Sequence, residues 1–590
     1  MKILVKIVVF LLLLKSVQVN AQCSLFEIPL IKRINTASLI IEGEVVDKKA
    51  FRNSEKNMIY TLNKIEVFKI FKGSVSSSFI EIVTQGGVLE DEMLIASNLL
   101  SLNIGDIGVF ILQPTKKFSF NNFSIESFEA VASMQGFIKY DLLTLTASDA
   151  FNNYQNIEQQ LYKVLSKGKP SETLKSFNVS EAKEFNMQDK ISSSAIPFIS
   201  DFTPREVSAG TKELLTITGS GFGSSRGNGT VGFANADDGG ASFVTPLPIQ
   251  YIKWQDNEII VEVPQDAGTG RIRVTQGVAI TSQASLLVLF SRINVIHNDR
   301  AHLQYMISKS PSGGYVFQFN ELLNLNQEAN SAFRRAFNTW KCTTGINWLI
   351  GEVTSISNAE RDNVNIVSFD IAGELPEGVL GITYSYYSSC QPVRWYLSEV
   401  DVVFSADVNW QFGPGFPGNS QIDMETIALH ELGHAHQLGH VIDPLDLMHY
   451  SYSTGTYNRE LNERNITAGE LLMEQSTHSQ ICSFDPMQEI PNVICEIEEL
   501  DQLSFDGLII GPNPVQNTFK IAYTLAENSS VSIEIFNNLG QKVHVVVNQN
   551  QSIGIYEYSF DMNNLNISSG LYFIRLYLND SKSTYKIVKI

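Results

Sequence analysis

The residues best suited to chemistry lie in one segment, HELGHAHQLGH, from His430 to His440. His430 and His434 are four residues apart, and on a helix this spacing places both imidazoles on one face, where both can reach one metal ion. Glu431 follows the first histidine and can contact a metal-bound water without binding the metal. His440 lies six residues after His434, which leaves enough chain for a turn that brings in a third ring nitrogen. Three neutral imidazoles with one open position are the ligand set of a catalytic zinc site.

A second element follows the histidines, because the segment LDLMHY places Met448 and Tyr450 shortly after His440. The motif and this methionine resemble the metzincin clan of zinc endopeptidases, in which HExxHxxGxxH precedes a Met-containing turn. The spacing to Met448 is most similar to the matrixin family, and the string MHY is also similar to astacins and serralysins. The resemblance implies that Glu431 is the general base and that Met448 packs beneath the metal. It leaves two roles open for Tyr450, which contacts zinc or the oxyanion in astacins and serralysins but not in matrixins.

Gln437 stands where the metzincin motif has glycine, three residues after the second histidine. That glycine ends the helix in a left-handed conformation, and a residue with a side chain costs about 1–2 kcal/mol there. Either Gln437 adopts the strained conformation or Gly439 takes over part of the turn. The departure therefore bears on the loop more than on the ligands.

Four other polar residues near the motif have plainer interpretations. His436 lies off the ligand face of the helix, so a solvated or supporting histidine is favoured over a ligand. His449 lies past the turn, and His440 is preferred to it as the third ligand. Asp443 and Asp446 are interpreted as loop caps, with hydrogen bonds to a ligand histidine as the alternative.

The composition describes an exported, acidic chain. Residues 1–21 have the pattern of a signal peptide, with Lys2 and Lys6 near the short apolar run VVFLLLL and small residues before Gln22. This run is too short to span a bilayer comfortably and no later run is long enough, so no permanent membrane span is expected. The formal net charge of −19 disfavours nucleic acid as a partner.

The 5 cysteines predict one or two disulfides in an oxidising compartment. The pairs Cys342–Cys390 and Cys482–Cys495 are the working hypothesis, and their spacing fits no zinc-ligand pattern. Cys23 is then left over, and the glutamine before it disfavours lipidation.

Residues 22–152 predict an N-terminal β domain, because segments such as SLIIEGEVV and FIEIVTQGG show apolar alternation with glycine breaks. Residues 153–195 predict a short helix and a polar linker. Matrixin propeptides carry a PRCGxPD motif, which does not occur here. Whether residues 22–195 form a removable pro-domain therefore stays open.

Residues 196–290 contain TITGSGFG and WQDNEIIVEVP. Gly219, Gly221 and Gly223 suit tight turns between strands. A phosphate-binding loop is disfavoured, because neither a Lys-Ser/Thr pair nor a helix pattern follows. The segment resembles an IPT/TIG domain, which implies an immunoglobulin-like β sandwich.

Residues 291–500 form the predicted catalytic domain. Glu328–Trp340 has helical apolar spacing, NVNIVSF and VDVVFSADVNW have strand patterns, and ITAGELLMEQSTHS predicts the last helix. The string GVLGITYSYY is similar to the matrixin strand that edges the substrate cleft. The expected fold class is a multidomain chain, with β-sandwich or barrel modules around an α+β metzincin (zincin-like) catalytic domain.

Residues 505–590 contain GPNPVQN, IEIFNNLGQKV and SSGLYFIRL before the ending YKIVKI. They resemble the C-terminal sorting domain of type IX secretion. The resemblance implies a compact β sandwich that engages the outer-membrane secretion machinery. A further immunoglobulin-like domain is the alternative.

The sequence thus predicts a secreted or cell-surface zinc metalloendopeptidase that hydrolyses peptide bonds of extracellular proteins. His430, His434 and His440 are the predicted Zn²⁺ ligands, and Glu431 and Tyr450 the predicted catalytic residues. A structural Ca²⁺ ion is left open, because matrixins often hold one although no calcium-loop spacing occurs here. One alternative is a surface adhesin or glycan/protein-binding protein with secondary or lost proteolysis. Another is a hydrolase with a narrow target, such as a matrix or mucin protein.

Overall fold

The computed structural model describes residues 25–589 with internal gaps. The gaps are residues 54–56, 116–125, 167–168, 178, 180–195, 391–392, 479, 491–507, 512–514, 516–517, 526–527, 553, 562–567 and 580. The predicted signal peptide, most of the predicted linker, Cys23 and Cys495 lie outside the described residues. No helix in the described ranges is long and apolar enough to cross a membrane.

The N-terminal part is β-rich, as the alternation predicts, with two short helices α1 (Leu30–Thr36) and α2 (Tyr162–Ser166). Its strands are β1 (Leu39–Arg52), β2 (Ile59–Lys72), β3 (Phe79–Gln85), β4 (Gly87–Leu89), β5 (Glu92–Ala96), β6 (Ile107–Pro114), β7 (Ser127–Ala130), β8 (Phe137–Asp141), β9 (Thr146–Ser148), β10 (Asn153–Tyr154) and β11 (Glu172–Thr173). Nine of these form one sheet, in which β1 pairs with both β2 and β6. The exceptions are β4 and β5, which belong to another sheet.

The next part is two packed sheets around an apolar core. Its strands are β12 (Phe198–Thr203), β13 (Glu206–Ala209), β14 (Leu214–Ser220), β15 (Thr230–Asn235), β16 (Phe243–Val244), β17 (Tyr251–Gln255), β18 (Glu258–Glu262), β19 (Ala267–Gln276) and β20 (Val278–Arg292). Gly221 and Gly223 have positive φ angles of 75° and 85°, so they make the turn after β14. Gly219 was predicted to serve a turn as well, but it lies within β14.

The third part combines helices with a mixed sheet. Its helices are α3 (Glu321–Leu325), α4 (Gln327–Thr344), α5 (Met424–Ala435) and α6 (Glu463–Thr477). Its strands are β21 (Val295–His297), β22 (Arg300–His302), β23 (Gln304–Tyr305), β24 (Tyr315–Phe319), β25 (Trp348–Ile350), β26 (Asn365–Asp370), β27 (Gly381–Cys390), β28 (Arg394–Ser405), β29 (Trp410–Gln411), β30 (Ile422–Asp423) and β31 (Leu438–Gly439). The long helix, the strands and the last helix predicted from the sequence are confirmed.

The sheet of this third part runs in the order β25-β24-β26-β28-β27 and continues into β5 and β4 of the N-terminal part. Strands β24, β25, β26 and β28 are parallel, and β27 is antiparallel to β28. Two strands of the N-terminal part therefore extend this sheet beyond β27.

The C-terminal part has two sheets, in the orders β32-β33-β36 and β35-β34-β37-β38. Their strands are β32 (Leu508–Gly511), β33 (Thr518–Leu525), β34 (Ser529–Asn537), β35 (Lys542–Gln551), β36 (Gly554–Asp561), β37 (Gly570–Leu578) and β38 (Ser581–Lys589). A shared apolar core that includes Phe519, Ile533 and Ile574 fits the β sandwich expected for a sorting domain.

The disulfide hypothesis is wrong in both pairs. Cys390 bonds to Cys482, and Cys342 is also disulfide-bonded but not to Cys390. The observed bond joins the end of β27 to the chain after α6, 92 residues further on. Proximity in sequence was a poor guide, because β27 and the segment after α6 meet only in the folded domain.

Candidate metal centre and active site

The helix α5 that carries the histidines begins at a well-formed cap. The carboxylate of Asp423 accepts hydrogen bonds from the backbone N–H and the hydroxyl of Thr426, at 3.0 and 2.7 Å. Arg459 forms an ion pair with the same carboxylate. Every residue of α5 is buried, and the indole of Trp340 on α4 donates to the carbonyl of Leu429 at 2.8 Å. The helix is therefore a rigid support for its ligands.

The structure brings His430, His434 and His440 together. One nitrogen from each ring lies within 4.8 Å of the corresponding atoms of the other two. Among the described residues, no other group of three or more His, Cys, Asp or Glu side chains meets this condition. All three histidines are buried, which matches the expected convergence on one ion.

Hydrogen bonds fix which ring nitrogens face the centre. The Nδ1 atoms of His430 and His434 lie 2.8 Å from the carbonyl oxygens of Leu447 and Leu438. A carbonyl only accepts, so both Nδ1 atoms carry the hydrogen and each Nε2 keeps its lone pair. The buried Nε2 atoms of His434 and His440 have no hydrogen-bond partner among the described residues. Such nitrogens are ready-made metal ligands, so the residues present fit a zinc ion.

Burial keeps two of these rings neutral. It lowers the pKa of His434 to about 3, with the nearby His440 as the next cause, and lowers the pKa of His430 well below its usual value. A histidine must be deprotonated to bind a metal. These two ligands therefore need not lose a proton before binding at neutral pH.

Gln437, not Gly439, makes the turn after the helix. It has a φ of 74°, so it accepts the left-handed strain that the sequence left as one of two options. Its buried side chain offsets this strain with hydrogen bonds. The hydroxyl of Tyr387 donates to Oε1 at 2.6 Å, and Nε2 donates to the carbonyl of Ala435 at 3.0 Å.

The third ligand is held by a residue from the preceding β sandwich. Nδ1 of His440 lies 2.7 Å from Oδ1 of Asp237, which fixes the ring with Nε2 towards the other imidazoles. The loop that carries His440 also pairs with the sandwich, because β31 is antiparallel to the end of β20. Two domains therefore contribute to the candidate metal centre. Nothing in the sequence around Asp237 signals this role.

Glu431 is fully buried beside the first ligand, and its carboxylate is surrounded by donors. Thr383 Oγ1 on β27 donates to Oε2 at 2.8 Å. Ser97 Oγ donates to Oε2 at 3.0 Å, and Asn98 Nδ2 donates to Oε1 at 2.9 Å. The last two residues belong to the N-terminal part and were not candidates from the sequence.

Met448 packs beneath the helix, as the resemblance implies. A Cβ placed on Gly433 would lie only 2.3 Å from the sulfur of Met448, so the helix needs glycine at this position. Asp446 forms the predicted loop cap, since its Oδ1 accepts from the backbone N–H of Met448 at 2.8 Å. Its Oδ2 accepts from Asn462 at the start of α6 at 2.7 Å, which ties the turn to the last helix.

Tyr450 lies where the three domains meet. Its ring is 6.2 Å from that of Phe151, and a Cβ on Gly239 would be 2.8 Å from its hydroxyl. Its catalytic role stays a prediction, as does structural calcium.

His436 is not solvated: it is fully buried, contacts Trp340, and its Nε2 lies 3.0 Å from the hydroxyl of Thr344.

Comparisons with known families agree with this architecture. Residues 314–472 match the family described as Matrixin, residues 197–291 match the IPT/TIG domain, and residues 510–590 match the secretion system C-terminal sorting domain. The three resemblances seen in the sequence are confirmed, and the chain carries these three domains. The sorting domain indicates type IX secretion to the medium or the cell surface. The metzincin fold as such stays a prediction.

One curated relative supports the protease domain. The chain is similar to Metalloendoproteinase 2-MMP of Arabidopsis thaliana, with 27% identity over 156 residues. The match covers 26% of this chain and 38% of that protein, so it concerns one domain only.

Two solved structures show weak likeness. The Ig1 domain of mouse SynCAM 2 is 14% identical, covering 14% of this chain and 94% of its own, with a TM-score of 0.11. The multi-modular glycogen-degrading pneumococcal virulence factor SpuA is 10% identical, covering 56% of this chain and 32% of its own, also with a TM-score of 0.11. Both likenesses are too weak to indicate a shared fold.

Proposed function

We propose that this protein is a secreted zinc-dependent metalloendopeptidase that hydrolyses peptide bonds of extracellular proteins. The observation that carries the proposal is the cluster of three buried imidazoles within 4.8 Å of one another, next to Glu431. The matrixin match over residues 314–472 supports it.

The chain's own groups have distinct roles in this reaction. His430, His434 and His440 would hold the ion, and Asp237 positions the third ring. A bound zinc would supply Lewis-acid chemistry, which lowers the pKa of a water towards ~7 and stabilises charge on a carbonyl oxygen. Glu431 takes the proton of the attacking water and passes it to the leaving amine.

The substrate would bind as an extended peptide along β27. The backbone of an edge strand offers a row of hydrogen-bond donors and acceptors to such a peptide. Within the predicted catalytic domain, β27 pairs with β28 on one side only. Its other side is such an edge, which β5 of the N-terminal part covers in this structure. Tyr450 remains the second proposed catalytic residue, and a Tyr450→Phe variant tests it.

The test uses the full chain, since a 291–500 fragment would lack Asp237. Peptide release from denatured casein is measured for wild type, Glu431→Gln and the control Glu470→Gln, which changes an exposed glutamate of α6. Each is assayed untreated and after limited trypsin treatment followed by trypsin inhibition. Wild type and the control should cleave casein, and Glu431→Gln should be roughly 10²–10⁴-fold slower with unchanged zinc content. Equal rates in all three proteins, or no cleavage by wild type under either condition, would overturn the proposal.

A further inference from the structure

The N-terminal domain covers the edge of the catalytic sheet. Strand β5 pairs antiparallel with β27 over five residue pairs, from Tyr384 opposite Ala96 to Ser388 opposite Glu92. The pairing extends one residue further, since the backbone N–H of Ser97 donates to the carbonyl of Thr383 at 3.0 Å. Residues 92–97 therefore use the backbone groups that an extended substrate on β27 would need.

The strand leads directly to the general base. Ser97 and Asn98 follow β5, and each donates a hydrogen bond to one oxygen of the Glu431 carboxylate. Ser97 Oγ also accepts from the backbone N–H of Thr383 at 2.8 Å. With the hydroxyl of Thr383 as a third donor, three hydrogen bonds occupy most of the roughly four acceptor positions of the buried carboxylate. Both oxygens are held in this arrangement, so an attacking water would have to displace Ser97 or Asn98 to reach the carboxylate freely.

A second segment of the same domain contacts both the chain before β27 and the chain after the Met448 turn. Leu25 forms a bridge with Val379, just before β27, and its carbonyl accepts from the backbone N–H of Tyr452 at 2.7 Å. Tyr452 lies shortly after the Met448 turn. The backbone N–H of Phe26 donates to the carbonyl of Gly378 at 3.0 Å. Residues 25–26 thus join the two sides of the site.

Charge and apolar packing hold the β5 segment in place. Arg361 of the catalytic domain forms an ion pair with Glu92. Leu94 is 1% exposed and lies in an apolar cluster with Ile382 and Tyr384 of β27. The contact is therefore a packed interface rather than a loose approach of two domains.

We propose that residues 92–98 are an internal inhibitor, which occupies the substrate's place on β27 and holds Glu431 through Ser97 and Asn98. The inference rests on the proposed function. A tethered segment competes with an effective concentration in the millimolar range, so micromolar substrate would not displace it. The structure is then the latent form, and activity requires displacement of the N-terminal domain.

A domain interface with only a structural role is the alternative explanation of these contacts, because a buried carboxylate needs hydrogen-bond partners in any interface. The two explanations predict different results when those contacts are removed. The inhibitor account predicts a gain of activity, whereas a structural interface predicts no change or a loss.

The test is cleavage of a quenched fluorogenic peptide by full-length proteins without trypsin treatment. The double variant Ser97→Ala/Asn98→Ala removes both side-chain contacts to Glu431. The control Ser101→Ala/Asn103→Ala changes the same residue types at exposed positions of the same domain. We expect the double variant to cleave at least ~10-fold faster than wild type, and the control to match wild type. Zinc content should be equal in all three.

A second variant, Ile95→Pro, breaks the strand pairing instead. The register places Ile95 opposite Ser385, two residues from the hydrogen-bonded Ser97, so its N–H lies on the side facing β27. Amide hydrogen exchange of residues 92–97 should be slow in wild type and fast in this variant. Equal cleavage by wild type and both variants, or fast exchange in wild type, would overturn this inference alone. No cleavage by wild type or either variant without trypsin, but cleavage after trypsin treatment, would likewise overturn this inference alone. No cleavage by any zinc-containing protein with or without trypsin treatment would overturn the proposed function, and this inference with it.

Discussion

At the scale of single residues, the candidate site has two kinds of residue. The predicted ligands can be identified from the sequence, whereas the residues that hold them in place cannot. The two histidines of α5 follow from helical spacing alone, and His440 from its distance to them. Asp237 is about two hundred positions away along the chain, on another domain, and only the fold brings it to the ring of His440. The spacing of residues in the sequence predicts contacts within one helix or turn, but it does not predict contacts between domains.

Removing Asp237 should weaken the metal site. We expect Asp237→Ala to bind zinc about 10–100-fold less tightly, because the ring of His440 loses the acceptor that orients it. Asp237→Asn keeps an acceptor oxygen and should lie between the two. Competition with a chromophoric zinc chelator measures the affinity, with the exposed Asp201→Asn as control. Identical affinities in all these proteins would show that Asp237 has no positioning role.

Gln437 tests whether strain or hydrogen bonding dominates at the helix end. Gln437→Gly should relieve about 1–2 kcal/mol of backbone strain, of which the greater conformational freedom of glycine in the unfolded chain offsets about 0.5–1 kcal/mol. It also leaves the hydroxyl of Tyr387 buried without its acceptor, which costs about 1–3 kcal/mol. We therefore expect a net loss of stability in denaturant unfolding, partly restored by adding Tyr387→Phe. A Gln437→Gly protein more stable than wild type would mean that the hydrogen bonds contribute little.

At the scale of elements, the long periodic segments were predictable. The helices α4 and α6 each bury one face, which gives the helical apolar spacing seen in the sequence. The strands β26 and β28 are almost entirely buried and appear as short apolar runs. The strand β27 lies in GVLGITYSYY, the string that resembles a matrixin strand. The attachment of β5 to β27 was not predictable, since any short strand can pair with any exposed edge. The Cys390–Cys482 bond belongs to the same class of contact.

Strand β28 also carries two buried carboxylates that should make stability depend on pH. Burial raises the pKa of Glu399 to about 7, although the backbone N–H groups of Asp362 and Asn363 lower it, and burial also raises the pKa of Asp401. The folded protein thus favours the protonated form of Glu399. The contribution of this protonated carboxyl to the free energy of unfolding is present below the ordinary glutamate pKa and is lost as the pH rises through about 7.

Glu399→Gln cannot ionise and should escape this loss. We expect its stability relative to wild type to improve by on the order of 1–3 kcal/mol between pH 5 and pH 8, on top of any constant offset. Denaturant unfolding in the presence of a chelator, which removes cations that could neutralise the pair, measures the difference. A difference that does not change with pH would speak against a raised pKa of Glu399.

At the scale of the whole molecule, the three family domains could be recognised from motifs, but their cooperation could not. Asp237 of the IPT/TIG domain contacts the ring of His440, and Ser97 and Asn98 of the N-terminal domain donate hydrogen bonds to Glu431. A view of the chain as independent modules would miss both. The adhesin alternative from the sequence treated these modules as binding units, whereas the contacts give each one a place at the active site.

Residues 510–590 should serve export and not catalysis. Truncation after residue 507 in a bacterium with type IX secretion should leave the protein inside the cells, while its zinc content and its gain of activity on Ser97→Ala/Asn98→Ala stay unchanged. Fractionation and immunoblotting measure the location. Normal export of the truncated chain would contradict the sorting role.

The central claim is that three imidazoles hold one zinc ion beside Glu431, and metal analysis of the purified full chain tests it most directly. The measurement is independent of latency, since it needs no substrate. We predict about one zinc per chain in wild type and in Glu431→Gln, and a large loss in His430→Ala and in His440→Ala. A wild-type chain that holds no zinc after zinc supplementation, or a His440→Ala chain that holds as much as wild type, would contradict the account.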